Sequence, residues 1–257
     1  MTAALTMPTV STVPTAPIAA TATHGLRRPW SRLPLSLAVL ALTLVLAGCS
    51  SKPPQPDWQI NAHDSAERAT RAWLASDSRV AQQEWKRARA EVARTGSPAL
   101  LARLELMRCA VQVASLDGGE CPAFEALRTD AQKPERSYAD YLAGRSMAEV
   151  DAALLPPAQR AALASPGAIA AIEDPLARLV AAGAALQAGR ATPETLVIAT
   201  DTASAQGWSR PLLAWLLLRV ERARAVGDEE LAQALQRRAA LVQGRGQPAE
   251  AGQKTVD

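Results

Sequence analysis

Helix start signals recur from Asp64 onward and divide most of the chain into short segments. Pro follows a capping residue at Ser97-Pro98, Asp174-Pro175 and Thr192-Pro193. Pro is favoured at the first helical position because its missing N–H has no partner there. Residues of high helix propensity dominate, and aromatic residues make up only 4%. The chain is therefore predicted to be all-α, with a core built mostly from Leu, Ala and Val.

Caps, prolines and glycines place the expected helices. The apolar residues Ala81, Trp85, Ala88 and Val92 share one helical face, as expected for an amphipathic helix. We expect helices over approximately 64–75, with Asp64 as N-cap, and over 78–94, 97–115, a short stretch from 121, 135–143, 147–154, 157–164, 174–188, a stretch from 192, 209–226 and 228–242.

The capping sites also recur with a period. Asp64 and Pro98 lie 34 residues apart, and Asp174 and Ser209 lie 35 residues apart. Small residues repeat at matching offsets after Asp77 and Asp228, which lets paired helices approach closely.

This spacing resembles that of tetratricopeptide hairpins over residues 64–131 and 174–243. The resemblance implies stacked helix pairs with a concave surface suited to peptides or partner helices. Residues 134–172 depart from the period and carry extra prolines. An irregular helical bundle is the alternative, and both arrangements are all-α.

The N-terminal residues carry an export signal. Arg27, Arg28 and Arg32 precede a 15-residue apolar run over 33–47, which is short for a membrane span. The run ends in Leu46-Ala47-Gly48-Cys49, which resembles the lipobox of bacterial lipoproteins. The resemblance implies removal of a signal peptide, residues 1–48, and acylation of Cys49. An uncleaved anchor or an ordinary secretory signal is the alternative.

The residues after Cys49 suggest where such a lipoprotein resides. In the family, Asp after the cysteine retains the protein at the inner membrane, whereas this chain has Ser50. The resemblance therefore implies a lipid anchor in the outer membrane, facing the periplasm. Pro53, Pro54 and Pro56 predict a Pro-rich tether over residues 49–62. Residues 244–257 are predicted to be a disordered tail.

Charge and cysteine content narrow the partners. Of 28 basic residues, Arg27, Arg28 and Arg32 lie in the first 48 residues, which leaves 25 against 25 acidic residues. This balance gives no reason to expect a nucleic-acid partner.

Apart from Cys49, for which the resemblance implies acylation, the chain has two cysteines, Cys109 and Cys121. An even pair of cysteines in the oxidising periplasm predicts a disulfide between them. Two free buried thiols are the alternative.

Residues typical of catalysis or metal binding are scarce. His63 is the only histidine beyond the signal peptide, and the sequence lacks nucleophile-elbow, zinc-protease, P-loop and dinucleotide-binding motifs. We expect no metal, no cofactor and no enzymatic activity. The alternative is a cell-wall glycan-binding or glycan-cleaving protein that uses an acid–base pair among its scattered carboxylates, which are Asp140, Glu149, Asp151, Glu173 and Asp174.

Two groups of side chains are candidate partner surfaces. Basic residues share a helix at Arg79, Lys86 and Arg87, together with Arg89 and Arg94. Tyr138 and Tyr141 lie on one side of another helix, where core packing is the plainer interpretation. The sequence thus predicts a lipid-anchored scaffold that binds another envelope protein. A groove lined by small and basic residues would favour this function, and a cluster of Tyr138, Asp140 and Glu149 would favour the glycan alternative.

Overall fold

The computed structural model describes residues 55–244, and this part of the chain is all-α, as predicted. It contains no strand, eleven α-helices and one 3-10 helix, Pro166–Ala171. The α-helices are α1 (Asp57–Leu74), α2 (Ser78–Ala93), α3 (Pro98–Ala114), α4 (Pro122–Glu125), α5 (Lys133–Leu142), α6 (Glu149–Ala152), α7 (Pro157–Ala164), α8 (Pro175–Gln187), α9 (Pro193–Ala205), α10 (Ser209–Ala225) and α11 (Glu229–Gly244).

Most helices begin where the caps predict. The side chains of Asp77, Ser97 and Asp174 accept hydrogen bonds from the backbone N–H three residues ahead, at 3.0, 3.3 and 2.6 Å. Thr192 forms a reciprocal capping box with Thr195. These contacts satisfy N–H groups that have no partner inside the helix. The local signals therefore fix the starts of α2, α3, α8 and α9.

The start of α1 differs from the expectation. The helix begins at Asp57 with Pro56 as N-cap, so residues 57–62 are helical and do not belong to a tether. Asp64 is an exposed residue inside the helix and caps nothing. The physical reason is tertiary packing, because Trp58 lies against the core of the first three helices and gives the extra turns a buried side. Of the predicted tail, residues 244–257, Gly244 is instead the last residue of α11, and residues 245–257 lie outside the described residues.

Three apolar clusters hold the helices together. One cluster joins α1, α2 and the start of α3 through alanines around Trp85. The largest cluster joins α3, residues 121–172, α8, α9 and α10, and includes Phe124, Leu142 and Trp215. A third joins α10 and α11. Sequential helices pair at both ends of this body, whereas α3 packs on α8 across the intervening segment.

The α3–α8 contact depends on a glycine. A Cβ atom at Gly183 of α8 would lie 2.4 Å from the carbonyl oxygen of Val113 in α3. Four alanines of α8, Ala181, Ala182, Ala184 and Ala185, are buried around it. Small side chains at this crossing therefore let the two helix backbones approach more closely than larger residues would allow.

A polar contact joins the first helix pair to α10. Ser76 and Ser209 place their hydroxyl oxygens 2.9 Å apart. Nε of Arg210 donates a hydrogen bond to the backbone oxygen of Trp73 at 2.8 Å. The indole Nε1 of Trp73 in turn donates to Ser115 Oγ at 3.2 Å. The end of α1 is thereby linked to both α3 and the start of α10.

No helix between residues 55 and 244 is long and apolar enough to cross a membrane.

Candidate functional site

An apolar groove of about 400 Å³ lies between α3, α5, α7 and α8. Leu106, Met107, Ala110 and Val111 of α3 form one wall, and residues of α8 form the opposite wall. Met107 is 42% exposed although it lies among apolar neighbours. A concave apolar surface with a few polar groups is the usual form of a ligand or peptide site. This groove is therefore the candidate functional site.

The polar groups of the groove are few and lie mainly at its ends. Arg103 and Asp174 line it, and both already have partners: Arg103 Nε donates to Glu135 Oε1 at 2.6 Å, and Asp174 caps α8. Glu135 also has a second oxygen, Oε2, that is buried without a hydrogen-bond partner. With its few charges occupied, the groove presents mainly apolar surface to a ligand.

Tyr138 and Tyr141 have different environments. Their rings are 6.0 Å apart and nearly parallel, with an interplanar angle of 16°. Tyr138 lines the groove, whereas Tyr141 is buried and donates a hydrogen bond to Gln159 Oε1 at 2.8 Å. Gln159 Nε2 donates in turn to the Ala177 carbonyl oxygen at 3.0 Å. Tyr141 thus belongs to the core, as core packing predicted, whereas Tyr138 is only partly buried and lines the groove.

Burial changes the titration of both phenols. It raises the pKa of Tyr138 to about 12 because the phenolate would lose hydration. Burial, followed by the charge of Tyr138, also raises the pKa of Tyr141. Both phenols are therefore neutral hydrogen-bond donors at physiological pH, and neither is a ready base.

Three of the five carboxylates proposed for glycan chemistry, Asp140, Asp151 and Asp174, have structural partners, and Glu173 is exposed. Both oxygens of Asp140 accept from Arg128 Nη2 at 2.7 Å, and Oδ1 also accepts from Arg145 Nη1 at 2.7 Å. This hydrogen bond raises the pKa of the Arg145 guanidinium. Asp151 pairs with Lys133 at 3.2 Å. Within the described residues Glu149 is exposed and has no ion-pair partner. Neither arrangement that was expected to distinguish the two functions is present: the groove contains Tyr138 without Asp140 or Glu149, and its lining is mainly apolar with Arg103 as its one cation.

The basic residues of α2 form a repeated arrangement that the sequence analysis missed. Glu84 accepts from Arg68, sixteen residues earlier, at 3.0 Å, and from Arg87, three residues later, at 2.5 Å. Glu105 pairs with Arg89, also sixteen residues earlier, and lies 3.9 Å from Arg108, again three residues later. The two glutamates are only 6% and 4% exposed. We call these contacts the Arg–Glu pins. The equal spacing in the sequence was the signal that could have revealed them.

The predicted partner surface on α2 is only partly free. Arg87 belongs to the first pin, and Arg94 pairs with Glu91 at 2.8 Å. Arg79 and Lys86 are exposed and have no carboxylate within 4.0 Å in the described part of the chain. Arg79 and Lys86 are therefore the cations of this helix that remain available to a partner.

The structure pairs Cys109 with Cys121 in a disulfide, with Cα atoms 5.4 Å apart. The expected proximity of these cysteines is thus confirmed. Cys49 lies outside the described residues. No group of three or more potential metal ligands occurs between residues 55 and 244. Comparison of the chain with protein-family models, with curated proteins and with solved structures finds no match.

Proposed function

We propose that the chain is exported, acylated on Cys49 and held at the outer membrane, where its helical body binds another cell-envelope protein. The charged segment, the apolar run and Leu46-Ala47-Gly48-Cys49 support export and acylation. A mature lipoprotein carries three acyl chains, and two or more give stable anchoring. The disulfide between Cys109 and Cys121 is in keeping with an oxidising compartment.

The apolar groove is the observation that carries the binding function. After removal of residues 1–48, the segments outside the described body are 49–54 and 245–257. They contain no Leu, Ile, Met or aromatic residue that could fill the groove. These two segments offer no apolar side chain larger than that of Val256 to the groove. We assign the groove to the apolar face of a partner helix, since a groove between helices suits such a face.

The glycan alternative has less support. Asp140, Asp151 and Asp174 serve as ion-pair partners or as a helix cap. A glycosidase needs two carboxyl groups on opposite sides of the scissile bond, about 5–10 Å apart. Three of the five candidate carboxylates are thus occupied by structural contacts, and the other two, Glu149 and Glu173, are exposed.

Site-specific photocrosslinking in cells tests the groove. A crosslinker replaces Met107 in the groove or Leu217 on α10, which has the same 42% exposure but does not line the groove. We expect Met107 to capture an exported protein of one mass and Leu217 to capture none. Capture only identifies the candidate, which is then purified for binding measurements.

The binding measurements decide the proposal. Met107→Glu places a charge in the apolar groove and should weaken binding of the purified partner at least tenfold, or about 1.4 kcal/mol. Leu217→Glu is the matched control and should leave the affinity unchanged. Equal effects of both variants would contradict the groove assignment. Capture of a second copy of this chain would replace the envelope partner with self-association.

Lipidation is tested separately with Cys49→Ser. The wild-type chain should incorporate labelled palmitate and lose residues 1–48, whereas the variant should do neither. Wild-type protein that remains uncut and unlabelled would contradict the anchor. Outer and inner membranes are then separated by density, and recovery in the inner-membrane fraction would contradict the assigned address.

A further inference from the structure

Two pockets lie beside the Arg–Glu pins and differ in charge. The first has a volume of about 320 Å³ and is lined by Arg68 and Arg87 together with Asp64 and Glu91. Its two cations are balanced by two carboxylates. Both cations also pair with the buried Glu84, so this pocket, between α1 and α2, has no excess of positive charge.

The second pocket, between α2 and α3, has an excess of positive charge. It has a volume of about 250 Å³ and is lined by Lys86, Arg89 and Arg108 around the single carboxylate of Glu105. The remaining lining residues are Gln82, Trp85 and Leu104. Three cations around one carboxylate leave two positive charges uncompensated. Glu105 itself is 4% exposed, so the cations and not the carboxylate face the opening.

We propose that the α2–α3 pocket binds the phosphate of an anionic phospholipid headgroup. Arg108 and Lys86 supply charge and hydrogen-bond donors, which together favour phosphate oxygens. Trp85 and Leu104 are only 6% and 9% exposed, so they form a shallow apolar floor that fits the glycerol of a lipid beneath the cations. The ligand is thus a charged group with an apolar continuation, as a phospholipid is.

Proximity to the membrane favours a lipid over an acidic protein as the anion, and this step rests on the proposed anchor. Cys49 and Asp57 are separated by eight residues, which span at most ~29 Å. Helix α1 has 18 residues and a length of ~27 Å. The tether is therefore short enough for the first helix pair to contact the headgroups, where an anionic membrane attracts cationic sites.

Calorimetric titration of the full chain in uncharged detergent tests the assignment. The probes are dihexanoylphosphatidylglycerol, dihexanoylphosphatidylcholine, inorganic phosphate and a hexaglutamate peptide, each added as a monomer in low salt. We expect the phosphatidylglycerol to bind at least tenfold more tightly than the other three. The detergent-purified chain is used whether or not Cys49 is acylated, so failure of this assay is distinct from failure of the anchor.

Charge-matched variants locate the site. Lys86→Gln and Arg108→Gln each remove a charged hydrogen-bond donor to the phosphate and should each weaken phosphatidylglycerol binding at least fivefold. Arg87→Gln removes the same charge from the neighbouring pocket and should leave the affinity unchanged. Circular dichroism confirms that each variant is folded.

Three outcomes would overturn the proposal. If Arg87→Gln weakens phosphatidylglycerol binding as much as Lys86→Gln and Arg108→Gln do, binding depends only on the net charge of the protein. Equally tight inorganic phosphate would show that no lipid is required. Tighter binding of hexaglutamate would assign the pocket to an acidic protein.

Discussion

The guanidinium carbon of Arg210 lies 4.0 Å from the centroid of the Trp73 ring, although 137 residues separate the two in the chain. The same side chain donates to the Trp73 backbone oxygen and to Ser78 Oγ. One arginine of α10 thus holds the turn between α1 and α2 through a cation–π contact and two hydrogen bonds.

Replacing Arg210 should loosen this contact. We expect Arg210→Ala to lower the free energy of unfolding by about 1–2 kcal/mol, from a cation–π term of about 0.5–1 and the lost hydrogen bonds. Urea unfolding measures the change. Arg222→Ala, also on α10, is the control and should cost less than about 0.5 kcal/mol. Equal costs for the two variants would show that the Trp73 contact contributes nothing.

Gly183 should be intolerant of a methyl group. Alanine normally stabilises a helix interior by up to about 1 kcal/mol relative to glycine. At Gly183 the new Cβ would meet the Val113 backbone at 2.4 Å, so α3 and α8 must separate. We expect Gly183→Ala to destabilise the fold by about 1–3 kcal/mol. Gly167→Ala, which meets nothing closer than 3.6 Å, should remain near wild type in the same thermal melt.

The disulfide should stabilise the fold through the chain segment that it closes. Cys109 and Cys121 are separated by 12 residues, for which the entropic model gives about 3 kcal/mol. We expect Cys109→Ala/Cys121→Ala to lower the stability by about that amount, and reduction of the wild type to do the same. Mass spectrometry without reductant checks the bond directly, and two alkylatable thiols in the folded protein would contradict it.

The hydroxyl groups of Tyr138 and Tyr141 should contribute differently to the free energy of unfolding. Tyr141→Phe loses the bond to Gln159 and should cost about 1 kcal/mol or more at pH 7, because the amide remains buried. Tyr138→Phe changes the other ring of the stacked pair. It loses no hydrogen bond in the described residues and should lower the free energy of unfolding by less. Equal costs at neutral pH would argue against the Tyr141–Gln159 contact.

Alkaline pH should destabilise the protein through Tyr138. Its pKa is raised to about 12 in the folded state, so the unfolded chain loses this proton first, near pH 10. The corresponding stability is complete below pH 10 and is lost as the pH rises from 10 towards 12. Urea unfolding at pH 8, 10 and 11 should show a smaller decline in Tyr138→Phe than in the wild type, and identical slopes would refute the assignment.

Sequence signals identified the helices well because helix starts depend on nearby residues. Asp77, Ser97 and Asp174 bond to N–H groups only three residues away, so their role is visible in the sequence alone. The predicted start of α1, at Asp64, was wrong because the true start depends on contacts of Trp58 with the core of the first three helices. Local patterns contain no information about such a distant neighbour.

The groove and the pins were harder to foresee for a related reason. Helix α3 is apolar over most of its circumference, which indicates neighbours on several sides but not which helices they are. Only the structure shows that α8 covers one side and leaves Met107 exposed. The sequence places Arg89 on a candidate partner surface because its buried partner, Glu105, belongs to the next helix and is not visible in the pattern of α2.

The contact between Arg210 and Trp73 also has a mechanical consequence. Tension that enters an open helical solenoid at one end can peel off the terminal hairpin first, because that unit contacts only its neighbour. Here the end of α1 is bonded to the start of α10, so a pulling force on the N-terminus is shared by these two helices. Most of the helices between them in the sequence do not transmit this force. We therefore expect the folded protein to unfold at a higher pulling force than an open array of the same helices would.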